Sequence, residues 1–111
     1  MIDLIALSKT AYEIAEQRQK NGGNIKTDTQ SMLKHCATEV VEAMEALTFY
    51  KNANVCDEGE EICRKEFISE LADIICCVLI IARREVVDLE QAINDCIEKN
   101  KMRAEGKGDK K

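Results

Sequence analysis

The chain has no proline and no tryptophan, and two tyrosines and two phenylalanines leave it only 4% aromatic. Without proline its long segments lack the residue that breaks helices, and with so few rings its core must be aliphatic. Both absences favour helices over a sheet of short strands. Positive charge is in short supply too: 16 Lys and Arg stand against 21 Asp and Glu, a formal net charge of −5 with a pI near 5.0. That argues against a nucleic-acid polymer as partner, because affinity for a phosphate backbone is carried mainly by clustered cations. A small phosphorylated ligand held through a metal stays compatible with it. Nor is there a long apolar run. The longest, Ile74 to Ala82, is far shorter than the ~20 residues a membrane helix needs, and no basic segment with an apolar stretch and cleavage site opens the sequence. The expectation is a cytoplasmic protein with no membrane partner.

Cysteine is plentiful, six residues in 111, yet its placement is wrong for a disulfide framework. Cys36, Cys76, Cys77 and Cys96 sit inside helical patterns, and the adjacent Cys76 and Cys77 point about 100° apart on a helix. Reduced, buried thiols acting as small hydrophobes are expected. Cys56 and Cys63 flank a loop at the distance of a zinc half-site, but no CxxC and no His partner accompany them.

At this length one domain is the default. A first helix is predicted from Ile2 to about Lys20, with Ile5, Leu7, Ala11, Ile14 and Ala15 at near-helical spacing, and Asn21, Gly22, Gly23 and Asn24 ending it. Thr27 and Gln30 have capping-box spacing and open a second helix to about Tyr50, whose stripe is Leu33, Cys36, Ala37, Val40, Met44 and Leu47. After a loop from Asn52 to Gly59, a third helix is expected from about Glu60 to Arg84, apolar almost all round from Leu71 to Ala82. Asp88 with Gln91 caps a fourth helix that runs through about Met102. The predicted fold is all-α, a four-helix chain forming an antiparallel bundle. The third helix has more apolar circumference than short neighbours can cover, so a second subunit is expected to complete it, as a homodimer or a dimer of dimers. Residues 1–103 form the domain, and 104–111 are a polar tail expected to be disordered.

Chemistry is concentrated in four carboxylates. Asp73 interrupts the run LADIICCVLIIA, where an ionised group faces heavy desolvation unless a cation or hydrogen-bond network receives it. Glu70 lies three residues earlier on the same side of that helix, and the second helix carries Glu39 and Glu42 at the same spacing. Folding the two helices as a hairpin about Cys56 puts Glu39 level with Asp73 and Glu42 level with Glu70. Two facing carboxylate pairs make an oxygen-rich site of the kind Mg²⁺ or Mn²⁺ prefers. Taken singly, an ExxE pair is more often a solvated helix face, and a buried Asp more often meets an Arg or Lys. A ferritin-like di-iron centre would need Glu-x-x-His twice, and the only histidine is His35. His35, one turn before Glu39, is either in that site's surroundings or simply in solvent. Tyr12, Phe49, Tyr50 and Phe67 are the only rings for base stacking, and each is more often core.

The segments ATEVVEAMEAL, carrying Glu39 and Glu42, and SELADIICCVL, carrying Glu70 and Asp73, resemble the signature of the MazG-like all-alpha nucleoside triphosphate pyrophosphatases. The resemblance continues through VDLEQAI to Asn100 and Arg103, and so spans Leu33 to Arg103. It implies a hydrolase that converts a (d)NTP into the monophosphate and pyrophosphate with Mg²⁺ held by Glu39, Glu42, Glu70 and Asp73. It also implies that Glu39 or Glu42 orients or deprotonates the attacking water, and that Asn100, Arg103 and nearby Lys99 approach the substrate phosphates. The chain departs from the pattern at Thr38, where several relatives have a further Glu, and at Cys96, where some have Lys; Lys99 and Lys101 are the nearest substitutes. Two other readings remain open. One is a phosphoribosyl-ATP pyrophosphatase with the same fold; the other is a catalytically silent helical interaction module whose acids balance neighbouring Lys and Arg.

Overall fold

Helix α1, Leu4–Lys20, begins where Asp3 turns extended and its carboxylate accepts from the backbone N–H groups of Ile5 and Ala6, satisfying donors that a helix start leaves free. In the computed structural model, which describes residues 2–52 and 59–106, three further helices follow: α2 Thr29–Lys51, α3 Glu60–Arg84 and α4 Leu89–Ala104. The all-α expectation holds, with no strand among the described residues. None of the described helices is long and apolar enough to cross a membrane. The loop expected around Cys56 and most of the polar tail lie outside the described residues.

The second helix starts differently from its sequence prediction. Asp28 is its N-cap, accepting from Ser31 N–H, and Thr27 lies outside the helix. Thr27 is buried instead, and both its N–H and its hydroxyl donate to the Gln19 side-chain oxygen. Here Asp outcompetes Thr for the cap, and the freed Thr ties the junction back to the end of α1. At the other cap the prediction stands, since Asp88 accepts from Gln91 N–H.

The α1–α2 junction is tightly built. Gly22 adopts φ +81°, and Gly23 donates to Arg18 C=O at 2.7 Å. A Cβ on Gly23 would stand 2.6 Å from that same carbonyl oxygen, so only glycine lets the chain turn back this closely. Ile25 and Thr27 then point inward and are buried, while Lys26 between them is exposed. Arg84 from the end of α3 also donates to Thr27 Oγ1, at 3.4 Å.

Helices α2 and α3 form the central antiparallel hairpin, α1 packs on α3, and α4 makes sustained contact only with α1. The core lies where these first three helices meet: Ala15, Ile25, Met32, Cys77 and Ile80, with Tyr12 and Cys36 packed around them. At the far end of the hairpin, Tyr50 stacks on Phe67 with ring centroids 6.4 Å apart. These rings join helix to helix, in line with the bland expectation for them.

One chain leaves much apolar surface bare. Its radius of gyration is 17.1 Å, against about 13 Å for a compact domain of this length. On α3, Cys77, Leu79, Ile80 and Ala82 are buried, but Ile75 is 58% exposed, and α4 has no buried residue. The cysteines divide in the same way. Cys36, Cys76, Cys77 and Cys96 are free, as expected, but only Cys77 among them is buried. Burial, with Cys36, Glu39 and Asp73 nearby, pushes the Cys77 thiol up to about 11, so it stays protonated and inert. Cys63 is disulfide-bonded, which removes it as a zinc ligand; Cys56 lies outside the described residues.

Candidate metal and nucleotide site

The hairpin register brings acids from two helices to one place. Glu39 on α2 and Glu70 and Asp73 on α3 each offer a carboxylate oxygen, all within 4.8 Å of one another. Glu42, one turn along α2, is not part of this triad but lies beside Glu70. The acids named from the sequence are thus brought together, Glu39 with both Glu70 and Asp73, and Glu42 beside Glu70.

Burial falls on a different residue than expected. Asp73 is exposed, because the α3 face around it is uncovered in one chain, with Leu71, Ile75 and Cys76 also exposed. The desolvated carboxylate is Glu39, only 8% exposed. Its Oε1 meets His35 Nε2 at 3.2 Å, so His35 is both largely solvated and in contact with the site. Glu39 Oε2 and Glu70 Oε2 are buried and have no hydrogen-bond partner.

Two orphaned acceptor oxygens in one acidic cluster are costly unless something positive meets them. The Glu70 carboxyl is held above its usual range first by desolvation and then by Glu39 and Asp73, with Glu42 pulling the other way. Like charges crowded this closely resist full ionisation. An all-oxygen donor set with two unsatisfied buried oxygens fits a hard divalent cation.

Glu39 and Asp73 open onto a cleft of about 250 Å³ lined also by Arg18, Ile25, Met32, His35, Cys76, Cys77 and Ile80. Its floor is thus the hydrophobic core, which fixes the helices that carry the acids. Arg18 was not anticipated from the sequence. It comes from α1, and among the described residues no carboxylate lies within ion-pair distance of it. Its signal was present, since Ala11 and Ala15 face the core and Arg18 continues the same helical stripe one turn on. An arginine that prolongs an apolar stripe has been placed at the rim of whatever that stripe covers.

The α4 residues do not reach this cleft within one chain. Lys99, Asn100 and Arg103 are exposed on a helix whose only sustained contact is with α1. Asn100 donates weakly to Cys96 Sγ at 3.8 Å, and Lys101 pairs with Glu98 at 3.5 Å.

Comparison with known families matches the chain to a nucleotide-processing domain. The profile of the MazG nucleotide pyrophosphohydrolase domain covers residues 27–106, a span that holds all four acids and α4 but only the last two residues of the α1–α2 junction. No curated protein and no solved structure matches the chain significantly.

Proposed function

Since the chain belongs to the MazG nucleotide pyrophosphohydrolase family, we propose that it is a Mg²⁺-dependent hydrolase that splits a (d)NTP between the α and β phosphates into (d)NMP and pyrophosphate. The observation that carries this reading is the triad of Glu39, Glu70 and Asp73 with its two unsatisfied buried oxygens. Removal of unwanted nucleotides from the cellular pool is the role that fits such a reaction, in the cytoplasm.

Glu39, Glu70 and Asp73 hold the cation, Mg²⁺ or Mn²⁺, with Glu42 completing the set from its place beside Glu70. When bound, the metal neutralises triphosphate charge and makes a coordinated water more acidic. Glu39 is anchored by His35 on one oxygen, which fixes its orientation. Glu42 is the more solvated of the two α2 acids and is the freer to orient or deprotonate the attacking water. Arg18 lines the same cleft, where its charge can counter that of a bound phosphate.

Lys99, Asn100 and Arg103 belong to this proposal through a second copy of the chain. The bare apolar residues of α3 and of α4, Ile75, Ile93, Ile97 and Met102, form the surface that a homodimer or dimer of dimers covers, bringing α4 of one copy toward the acids of another. Light scattering on the purified chain is expected to give twice or four times the 12.5 kDa monomer mass; a monomer at assay concentration removes α4 from the site.

The test of the activity is direct. Incubation with a panel of ribo- and deoxyribonucleoside triphosphates and Mg²⁺ is expected to release pyrophosphate and the monophosphate in equal amounts, and EDTA is expected to stop it. Release of orthophosphate and the diphosphate would place the cleavage at the wrong bond, and no turnover across the panel would leave the phosphoribosyl-ATP pyrophosphatase and silent-module readings in its place.

A further inference from the structure

A second cleft adjoins the acid cleft across two shared residues, Ile25 and His35. It measures about 290 Å³ and is otherwise lined by Asn24, Lys26, Ser31, Lys34 and Thr38. Neither cleft alone reaches the roughly 300 to 1,000 Å³ usual for a small-molecule site, whereas the two side by side do. Their chemistry is opposite. One is lined by two carboxylates, Glu39 and Asp73, with Arg18 beside them; the other is lined by two lysines and no acid.

The cations here are unclaimed. Among the described residues neither Lys26 nor Lys34 lies within ion-pair distance of a carboxylate, in a chain where acids outnumber bases by 21 to 16. The fold sets where their backbone lies. Lys26 is held outward because Ile25 and Thr27 on either side are buried, with Thr27 bonded to Gln19 and Arg84. The close Gly23 turn on Arg18 sets where that strand of backbone lies. Lys34 comes from α2, one residue before His35, which touches Glu39. No Phe, Tyr or Trp lines this cleft, and its one ring, the His35 imidazole, is engaged with Glu39, while its lysine, hydroxyl and amide groups suit phosphate oxygens.

Resting on the activity proposed above, we infer that the α1–α2 junction cleft is the subsite for the pyrophosphate end of the substrate, with Lys26 and Lys34 as its neutralising cations. The substrate then lies across His35, with the phosphate to be attacked at the acids and the departing pyrophosphate at the lysines. Hydrolysis transfers the α-phosphoryl group to water and leaves the bridging electron pair on pyrophosphate, so negative charge grows at the leaving group during the reaction. Two cations there favour that charge. Lys26 and Lys34 are binding residues in this scheme, and they leave the metal site untouched.

The test uses the full-length chain and Mg²⁺-pyrophosphate as the probe. Calorimetric titration is expected to show binding to the wild type and at least tenfold weaker binding to K26A/K34A. Mn²⁺ affinity should stay within twofold, and K65A, an exposed lysine elsewhere, should bind pyrophosphate like wild type. Because both lysines are exposed, the double variant should keep its helical circular dichroism. Equal pyrophosphate affinity in wild type and K26A/K34A, or none in the wild type, overturns the subsite. Failure of the activity reads out separately: if no triphosphate is cleaved yet pyrophosphate binding still depends on these lysines, the subsite stands and the reaction does not. Conversely, turnover with KM and pyrophosphate inhibition unchanged in K26A/K34A keeps the reaction and removes the subsite.

Discussion

Asp73→Asn is expected to cut pyrophosphate release by at least about a hundredfold, roughly 2.7 kcal/mol of barrier, while the melting temperature stays near that of wild type. Asn keeps the shape of Asp and one neutral oxygen but removes the charge that a divalent cation requires of its ligands. Little stability is at stake, because Asp73 is exposed and no hydrogen bond or ion pair is seen on its side chain among the described residues. In the metal-free protein the change also relieves Glu70, whose carboxyl is raised partly by Asp73. The two readouts, turnover by pyrophosphate assay and unfolding by circular dichroism, should therefore separate. Activity within threefold of wild type would remove Asp73 from the site. Lost activity accompanied by a collapse in melting temperature would make its role structural.

Asp73 was singled out from the sequence for an expected burial that the structure does not bear out, which says where sequence reading reaches its limit. The register of the hairpin was legible because Glu39 and Glu42 on one helix and Glu70 and Asp73 on the next repeat the same three-residue spacing about a loop. One facing pair fixes the register of a hairpin, and equal spacing then carries the second pair to the same level. Burial was not legible. Asp73 sits in the most apolar stretch of the chain, yet is exposed, and Glu39 sits in a mixed stretch, yet is buried. Which face of α3 is covered depends on where α1 lands, and a helix apolar nearly all round carries no periodicity to announce it. Arg18 was missed for the same reason, since its role depends on α1 packing on α3 beside the acids. The Thr27 cap failed on a local competition, with Asp28 one residue later taking the same task. The bounds of α3 were readable because acidic Glu60 and Glu61 open it and Arg83 and Arg84 close it, the charge order that a helix dipole favours.

The second large effect is on stability and depends on pH. Saturating Mn²⁺ or Mg²⁺, at a hundredfold over its dissociation constant, is expected to stabilise the chain by about 2.7 kcal/mol, on the order of 10 °C in melting temperature. The increment should shrink as pH falls from neutral. Glu70 gives the sign. Its folded-state carboxyl is raised above the ordinary 4.5, first by desolvation and then by Glu39 and Asp73, so in the metal-free protein the folded state binds its proton more tightly than the unfolded chain does. Stability from this group therefore falls as pH rises through the raised value, with the full penalty present above it and none below about 4.5. Metal reverses the preference, because it binds the ionised carboxylates and competes with that proton. Metal-free protein should then gain stability as pH drops through the raised value towards about 4.5, while metal-loaded protein loses it, and the two melting curves converge. Glu70→Gln isolates the cause: it should melt higher than wild type without metal at pH 7, lack that part of the pH slope, and respond little to Mn²⁺. A metal increment that keeps its size down to pH 5 in the wild type, or survives intact in Glu70→Gln, would mean that the cation is held somewhere other than between α2 and α3.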